Sequence, residues 1–527
     1  MFKEILFLLS LGCYSEAANI LYIIPYAEKS HYIMLRPIGL ELAKRGHNVT
    51  VITSFKETDH PSGYHQIMVD DVGSDDKTAF GGNDGSRPNL FTTVDMSTET
   101  ILWKFLWVGG LALTENYLKS KQVQEFLAKD NTFDMVISEQ FAQEAFYILA
   151  HKYNAPLGLV STFGNCMKHN IVTRNPLQMA TVTFEWAEIP EPTTFVGRLK
   201  NLYYSLYEYA YWKYWFLYEQ ERLMTKYIPN IPQPVPSLFE MQKNASLLLM
   251  NGHFTFDPPT AYLPNIVEIG GAHLSHSKSQ LPVDLKKILD EAPHGVVYVS
   301  LGSNVKSAEL PIEKKNAFIK VFGSLKETVL WKWEDDDLGP IPKNIVTRKW
   351  MPQKDVLAHP NVKVFISHGG LIGTQEATYN GVPIIGIPIT GDQYNNLLLA
   401  QNIGFGRILR YHDISEETLG NNLKEVLKDD SFKNKAIEIA DRFKDRPMNA
   451  LDTAMFWIEY VIRNKGANYM KNPAMDLSWV AANMLDVYTF VLFVVLIIIF
   501  VAIKVVLGLI NMVGIGDNRV AQKRKRS

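Results

Sequence analysis

Val364-Phe-Ile-Ser-His368-Gly-Gly370-Leu-Ile-Gly-Thr374-Gln-Glu376-Ala377 reads as a strand, a glycine turn and the start of a helix. Residues 364–367 make a strand of the kind covered on both faces. Gly369 and Gly370 let backbone approach a ligand closely. The helix is predicted over 371–379, with Gly381 near its C-terminal cap. A helix that begins right after glycines presents free N–H groups and a partial positive charge, which suits a diphosphate. His368 and Thr374 add side-chain donors. Glu376, about one turn along, is placed to accept hydrogen bonds from a ribose diol.

Outward from this unit, Val/Ile/Leu runs alternate with helical patterns. They fall at 20–24, 49–53, 135–138, 157–161 and 247–250, then at 296–301, 329–333, 346–349, 364–367 and 383–387. Such alternation predicts an α/β fold with open parallel sheets. The polar, Pro-containing stretch 276–282 reads as a linker. Two Rossmann-like halves therefore face each other, 19–275 and 283–470, the second ending in a return helix.

Trp350-Met-Pro-Gln353-Lys-Asp-Val-Leu-Ala-His359-Pro360 precedes the opening unit, and Gly381-Val-Pro383 and Asp392-Gln393 follow it. Over its whole spacing this block resembles the signature of the UDP-glycosyltransferases, the UDP-glucuronosyltransferase/glucosyltransferase family. The likeness spans nearly the whole chain and is closest to membrane-bound invertebrate members. It implies the GT-B type of arrangement and a UDP-sugar as donor. In the family, the residue matching Trp350 stacks on uracil and the one matching Gln353 lies beside the base. Ser303, His368, Gly370 and Thr374 match diphosphate contacts, Glu376 the ribose ligand, and Asp392 and Gln393 the residues that hold sugar hydroxyls. Vertebrate members carry Asn where this chain has Ile372. One phosphate contact is then lost, or taken over by Thr374.

The family's general base is a histidine just after the first strand, and Ser30-His31-Tyr-Ile-Met-Leu-Arg-Pro37 occupies that place. This predicts His31 in the loop at the C-terminal end of the strand, with Pro37 in the first turn of the next helix. A neutral imidazole there takes a proton from an acceptor hydroxyl near neutral pH. Its carboxylate partner is usually Asp. Phe133-Asp-Met-Val-Ile-Ser-Glu139 puts Glu139, one methylene longer, at that position. The resemblance thus implies an inverting hexosyltransferase (EC 2.4.1 type) that moves a hexose, glucose by likeness to invertebrate members, onto a hydroxyl of a small lipophilic acceptor. No acidic pair is spaced for a metal, so neither metal nor cofactor is expected. The competing reading is a non-catalytic UDP-sugar- or lipid-binding membrane protein of the same fold, with Glu139 and Ile372 as signs of lost activity.

The ends suggest an address. Residues 1–18 have a basic start, an apolar run and small residues before a cut site, the pattern of a signal peptide. After a juxtamembrane segment, 471–486, residues 487–510 are apolar but for Lys504 and long enough to span a bilayer. The tail 511–527 holds Arg519, Lys523, Arg524, Lys525 and Arg526. Basic residues favour the cytosolic side, which makes a single-pass type I protein with lumenal catalytic halves. Lys523 and Lys525 resemble a dilysine retrieval signal, so the endoplasmic reticulum membrane is expected. Of two glycosylation sequons, Asn244 is the better candidate and Asn48 opens a strand.

Residues 70–96 read as a long mobile loop. The aromatic segment 203–218 suits a bilayer interface, the mouth of an apolar pocket, or an amphipathic core helix. Lys+Arg 53 against Asp+Glu 55 gives a net charge of −2. That provides no global field for nucleic acid. Cys13 and Cys166, the only cysteines, make no Cys-based metal site. The reading leaves room for a homo-oligomer.

Overall fold

The computed structural model describes residues 17–70, 88–275, 281–336 and 338–524, with side chains as far as 512. Most of the signal-peptide reading, residues 276–280 of the linker and the basic side chains of the tail lie outside the described residues.

Seven parallel strands form the first sheet: β1 (Asn19–Ile24), β2 (Asn48–Thr53), β3 (Tyr64–Met68), β4 (Met135–Glu139), β5 (Leu157–Ser161), β6 (Leu247–Met250) and β7 (Ile266–Glu268). Their spatial order is 3-2-1-4-5-6-7. Six parallel strands form the second: β8 (Val296–Ser300), β9 (Thr328–Lys332), β10 (Ile345–Arg348), β11 (Val362–Ser367), β12 (Ile384–Gly386) and β13 (Gly406–Ile408), in the order 10-9-8-11-12-13. All ten predicted strands are present. Strand order reverses between β1 and β4, and again between β8 and β11. Open α/β sheets leave a ligand crevice at the carboxyl ends of such switch points. The residues after β1, β8 and β11, and the last residue of β4, therefore sit where a ligand binds.

Six helices matter here: α1 (Lys29–Lys44), α2 (Phe195–Tyr211), α3 (Leu371–Asn380), α4 (Gln393–Ile403), α5 (Ala450–Arg463) and α6 (Leu485–Arg524). Helix α1 corrects the sequence reading. It starts at Lys29, so His31 lies in its first turn rather than in a loop, and Pro37 lies inside the helix. Apolar burial of Met34, Leu35, Ile38 and Leu42 along one face outweighs the hydrogen bond that Pro37 cannot donate. Helix α3 ends at Gly381, whose φ of +63° is the left-handed cap that glycine favours.

Helix α5 crosses back to the first half. Leu451, Met455 and Ile458 share one buried cluster with Leu35, Ile38 and Leu42. Arg45 adds an ion pair to Asp452 at 2.5 Å. Of the predicted long loop, residues 71–87 lie outside the described residues. Its end is anchored: Leu90 and Phe91 pack into the core of the second half, with Phe91 stacked 5.3 Å from Tyr411. In the aromatic segment Trp212 and Phe216 are buried, whereas Tyr203, Tyr214 and Tyr218 are exposed. Trp215 stacks on Trp103 at 4.6 Å. No residue of 203–218 lines the cleft described below.

From Asn472 the chain forms a separate unit. Its residues Leu485–Met512, in which an 18-residue stretch has a mean hydropathy of 3.4, make the one helix among the described residues long and apolar enough to cross a membrane.

Candidate active site

A cleft of about 1110 Å³ opens between the two sheets, lined from the first half by His31, Phe141 and Trp186 and from the second by Ser303, His368 and Asp392, among others. Both switch points thus open into one space.

On the first half, the imidazole of His31 points Nδ1 at Oε1 of Glu139, and the two form a short hydrogen bond. Glu139 ends β4 and is fully buried. Glu139, one methylene longer than the expected Asp, still reaches the ring. Thr162, just past β5, donates its hydroxyl to the same Oε1 at 3.1 Å and lies 3.1 Å from His31 Nδ1. The other carboxylate oxygen, Oε2, is buried without a partner. Nε2 of His31 makes no protein hydrogen bond among the described residues, so it is left to the cleft. Around the ring stand Tyr26, Phe141 and Phe163, with centroids 4.7, 5.0 and 5.8 Å away. Trp186 lies nearly parallel to Phe141 at 6.3 Å. The imidazole thus sits in a bowl of aromatic rings, a largely apolar lining with one polar group.

On the second half, α3 starts at Leu371 with Gly370 as its N-cap. The first-turn N–H groups of Leu371, Ile372 and Gly373 have no carbonyl of their own helix to bond, and these three residues line the cleft. Thr374 does not reach the wall. It is fully buried, and its hydroxyl donates back to the Gly370 carbonyl at 3.1 Å. Four residues apart on a helix, that internal bond is the nearest partner available. Ile372 packs against the buried cluster that α1 and α5 share, and it also lines the cleft.

His368 sits between two glycines. A Cβ on Gly302 would meet its Cε1 at 2.5 Å, and one on Gly370 its Nε2 at 2.6 Å. Burial, with Lys332 adding to it, pushes this histidine down to about 4, so the ring is neutral at physiological pH. Lys332, the last residue of β9, was not singled out in the sequence. Its ammonium holds the Gly302 carbonyl at 2.8 Å and Glu334 at 2.7 Å, and it lines the cleft. A lone lysine in the apolar run Val329-Leu-Trp-Lys332-Trp333 was the available signal. Ser303 donates to Asn304 at 3.2 Å.

Glu376 accepts from Gln353 Nε2 at 2.6 Å, and burial raises its carboxyl to about 7. Trp350 is half exposed, and the ammonium of Lys29 lies 3.6 Å from its ring centroid. A base stacking there takes the other face or displaces the lysine. Gln393 spends its carbonyl oxygen on the N–H groups of Ile389 and Thr390, at 2.7 and 3.1 Å. Asp392 accepts from Asn396 at 2.8 Å. Burial raises its carboxyl above the ordinary range, partly offset by the hydrogen bond from Asn396. Ser303, Trp350, Gln353, His368, Gly370, Glu376, Asp392 and Gln393 thus share one wall, opposite His31.

Residues 19–519 match the profile described as UDP-glucoronosyl and UDP-glucosyl transferase. UDP-glycosyltransferase UGT5 of Dactylopius coccus is 33% identical over 521 residues, covering 96% of each chain. UDP-glucosyltransferase 2 of the same organism is 33% identical, over 91% of this chain and 90% of its own. Among solved structures, the calicheamicin glycosyltransferase CalG4 superposes with a TM-score of 0.57 at 15% identity, over 85% of this chain and 99% of its own. That likeness shows the shared fold of two facing parallel-sheet halves.

Proposed function

Because the chain belongs to the UDP-glucoronosyl and UDP-glucosyl transferase family, we propose that it transfers a hexose, glucose, from UDP onto a hydroxyl of a small lipophilic acceptor with inversion, using His31 as general base. Glycosyl transfer from a UDP-sugar is the coarse activity that membership carries. The finer reading rests above all on one observation: the His31–Glu139 pair and the helix N-terminus after β11 open into a single cleft. The name of the second Dactylopius coccus relative supports glucose as the donor sugar.

The geometry supports the following sequence. His31 Nε2 takes the proton of the acceptor hydroxyl, and Glu139 balances the imidazolium through Nδ1. The oxygen attacks the anomeric carbon from the face opposite UDP, and the bond to the diphosphate breaks. The free N–H groups of Leu371–Gly373 and the neutral His368 receive the departing charge. No step calls on a metal. The apolar helix at 485–512 is proposed as a single-pass anchor in the endoplasmic reticulum membrane with the catalytic halves lumenal, beside a reservoir of lipophilic acceptors. A donor-by-acceptor screen on microsomes carrying the full chain tests the reading. UDP release that needs both UDP-glucose and a phenol or steroid supports it, whereas UDP binding without turnover favours the non-catalytic alternative.

Two further outcomes are expected. Gly302 has φ of +87° and touches the His368 ring. Gly302→Ala adds roughly 1–3 kcal/mol of backbone strain and pushes the imidazole aside. UDP affinity by calorimetry should fall about tenfold or more, and unchanged affinity would remove His368 from the diphosphate site. The second concerns pH. A ribose diol donates to the ionised form of Glu376, which predominates above about 7. UDP should therefore bind about tenfold more weakly one pH unit below that value than well above it. Glu376→Gln should flatten the profile, and a wild-type profile already flat between pH 6 and 8 counts against the ribose role.

A further inference from the structure

The donor half also builds part of the acceptor wall. Helix α4 begins with Gln393, just after Asp392, and two residues on comes Asn395. Its amide Nδ2 donates directly to three carbonyls of the first half, those of Phe184, Glu185 and Ala187, at 3.1, 3.0 and 3.1 Å. Three carbonyl oxygens that converge on one point repel each other unless a donor lies between them. Asn395 is that donor. The residue enclosed by these carbonyls is Trp186.

Trp186 touches both halves. It lies parallel to Phe141, which in turn stands 5.0 Å from the His31 ring. It also lies beside Gly391, where a Cβ would come within 3.5 Å of its Cζ3. The loop has supports in its own half, since Phe184 N–H donates to Asn201 at 2.6 Å and Thr98 donates to the Trp186 carbonyl at 3.4 Å. Phe184 and Ala187 are also part of the first half's core, with Phe184 stacked 5.9 Å from Tyr204, and further ties reach the donor half. The Glu188–Arg410 pair at 2.7 Å is half exposed and contributes little. The amide of Asn395 carries the register.

We propose that Asn395 is a positioning residue that seats Trp186 over the acceptor, so that a flat apolar acceptor is gripped only when the turn holding the donor sugar is in place. This rests on the transferase reading and deepens it. Occupation of the turn at Asp392 and Gln393 by the sugar steadies Asn395, and through it the far wall of the acceptor bowl. Donor and acceptor affinity are thereby coupled, and acceptor shape is read partly by the donor half.

The test uses the full-length chain in membranes with 4-nitrophenol as acceptor probe. Its equilibrium binding is measured at saturating UDP, beside UDP binding and steady-state transfer. Asn395→Ala and Asn395→Asp should each weaken 4-nitrophenol binding and raise its KM about tenfold, while UDP affinity stays within about twofold. Trp186→Ala should do the same. The double variant Asn395→Ala/Trp186→Ala should be no worse than Trp186→Ala alone, because one acts through the other. A matching fall in UDP affinity measured without acceptor, a multiplicative double variant, or acceptor binding left intact would each overturn the proposal. Equilibrium binding needs no turnover. A chain that binds the phenol as expected but transfers nothing therefore counts against the transferase reading alone. One that binds no phenol overturns both.

Discussion

His31→Ala in the full-length chain is expected to lower UDP release in the presence of a phenolic acceptor by about 10²–10⁴-fold, with UDP affinity unchanged within about twofold. The size follows from how completely the ring is committed. Nδ1 is bound to Glu139, and Nε2 has no protein partner among the described residues and faces the cleft. The rings packed around it offer no substitute base. Tyr26, Phe141 and Phe163 fill the rest of the bowl, and burial raises the Tyr26 phenol well above its ordinary range. The donor wall belongs to the other half, so the nucleotide should bind as before. A parallel loss of UDP affinity would mean that the substitution disturbs the closure of the halves, and retained UDP release would remove the imidazole from the chemistry. His31→Gln is the useful companion. It keeps a polar group of similar reach beside Glu139, and so separates loss of the base from the burial of an unpaired carboxylate.

The architecture was legible because strands buried on both faces announce themselves as unbroken apolar runs. The three strands absent from the sequence reading are all at sheet edges: β3 beside β2, β7 beside β6 and β13 beside β12. Tyr64-His-Gln-Ile-Met68 mixes polar and apolar residues, and the other two are three residues long. Half-covered strands of that length leave no periodic trace. The helix after β11 was legible from local signals alone, a glycine turn at one end and Gly381 at the other. Helix α1 was not. Glu28 makes no capping bond at its start, and Pro37, read as an opening residue, is tolerated mid-helix because the buried face on either side holds the helix together. The hydroxyl of Thr374 was read as a free donor, but a threonine inside a helix turns to its own backbone before it turns to a ligand. Thr162, Lys332 and Asn395 come to the site only through the packing of the two sheets. Of the three, Lys332 alone left a trace in the sequence, as a charge inside an apolar run.

The second large effect is expected at Glu139. Glu139→Gln should cost on the order of 10²–10⁴-fold in kcat/KM, nearly as much as losing the histidine, although no atom of Glu139 is placed to touch a substrate. An ionised carboxylate only accepts hydrogen bonds, so it holds the proton of His31 on Nδ1 and keeps Nε2 free to act as a base. A glutamine offers an NH₂ group in the same space. Turned toward His31, it donates to Nδ1, moves the ring proton to Nε2 and leaves the imidazole unable to accept from the acceptor hydroxyl. Turned the other way, it restores the tautomer but brings no negative charge to balance the imidazolium in a fully buried site. Glu139→Asp separates the two contributions. The charge stays while the carboxylate draws back by one methylene, roughly 1.5 Å, which breaks direct contact with Nδ1. Thr162, within 3.1 Å of both partners, then stands between them. A smaller loss for Asp than for Gln, restored in part by an intact Thr162 and abolished by Thr162→Val, is the expected pattern in kcat/KM at unchanged UDP affinity. Equal activity of Glu139→Gln and the native chain would mean that the carboxylate does not set the tautomer, and the buried, unpartnered Oε2 would then have to be explained by something other than catalysis.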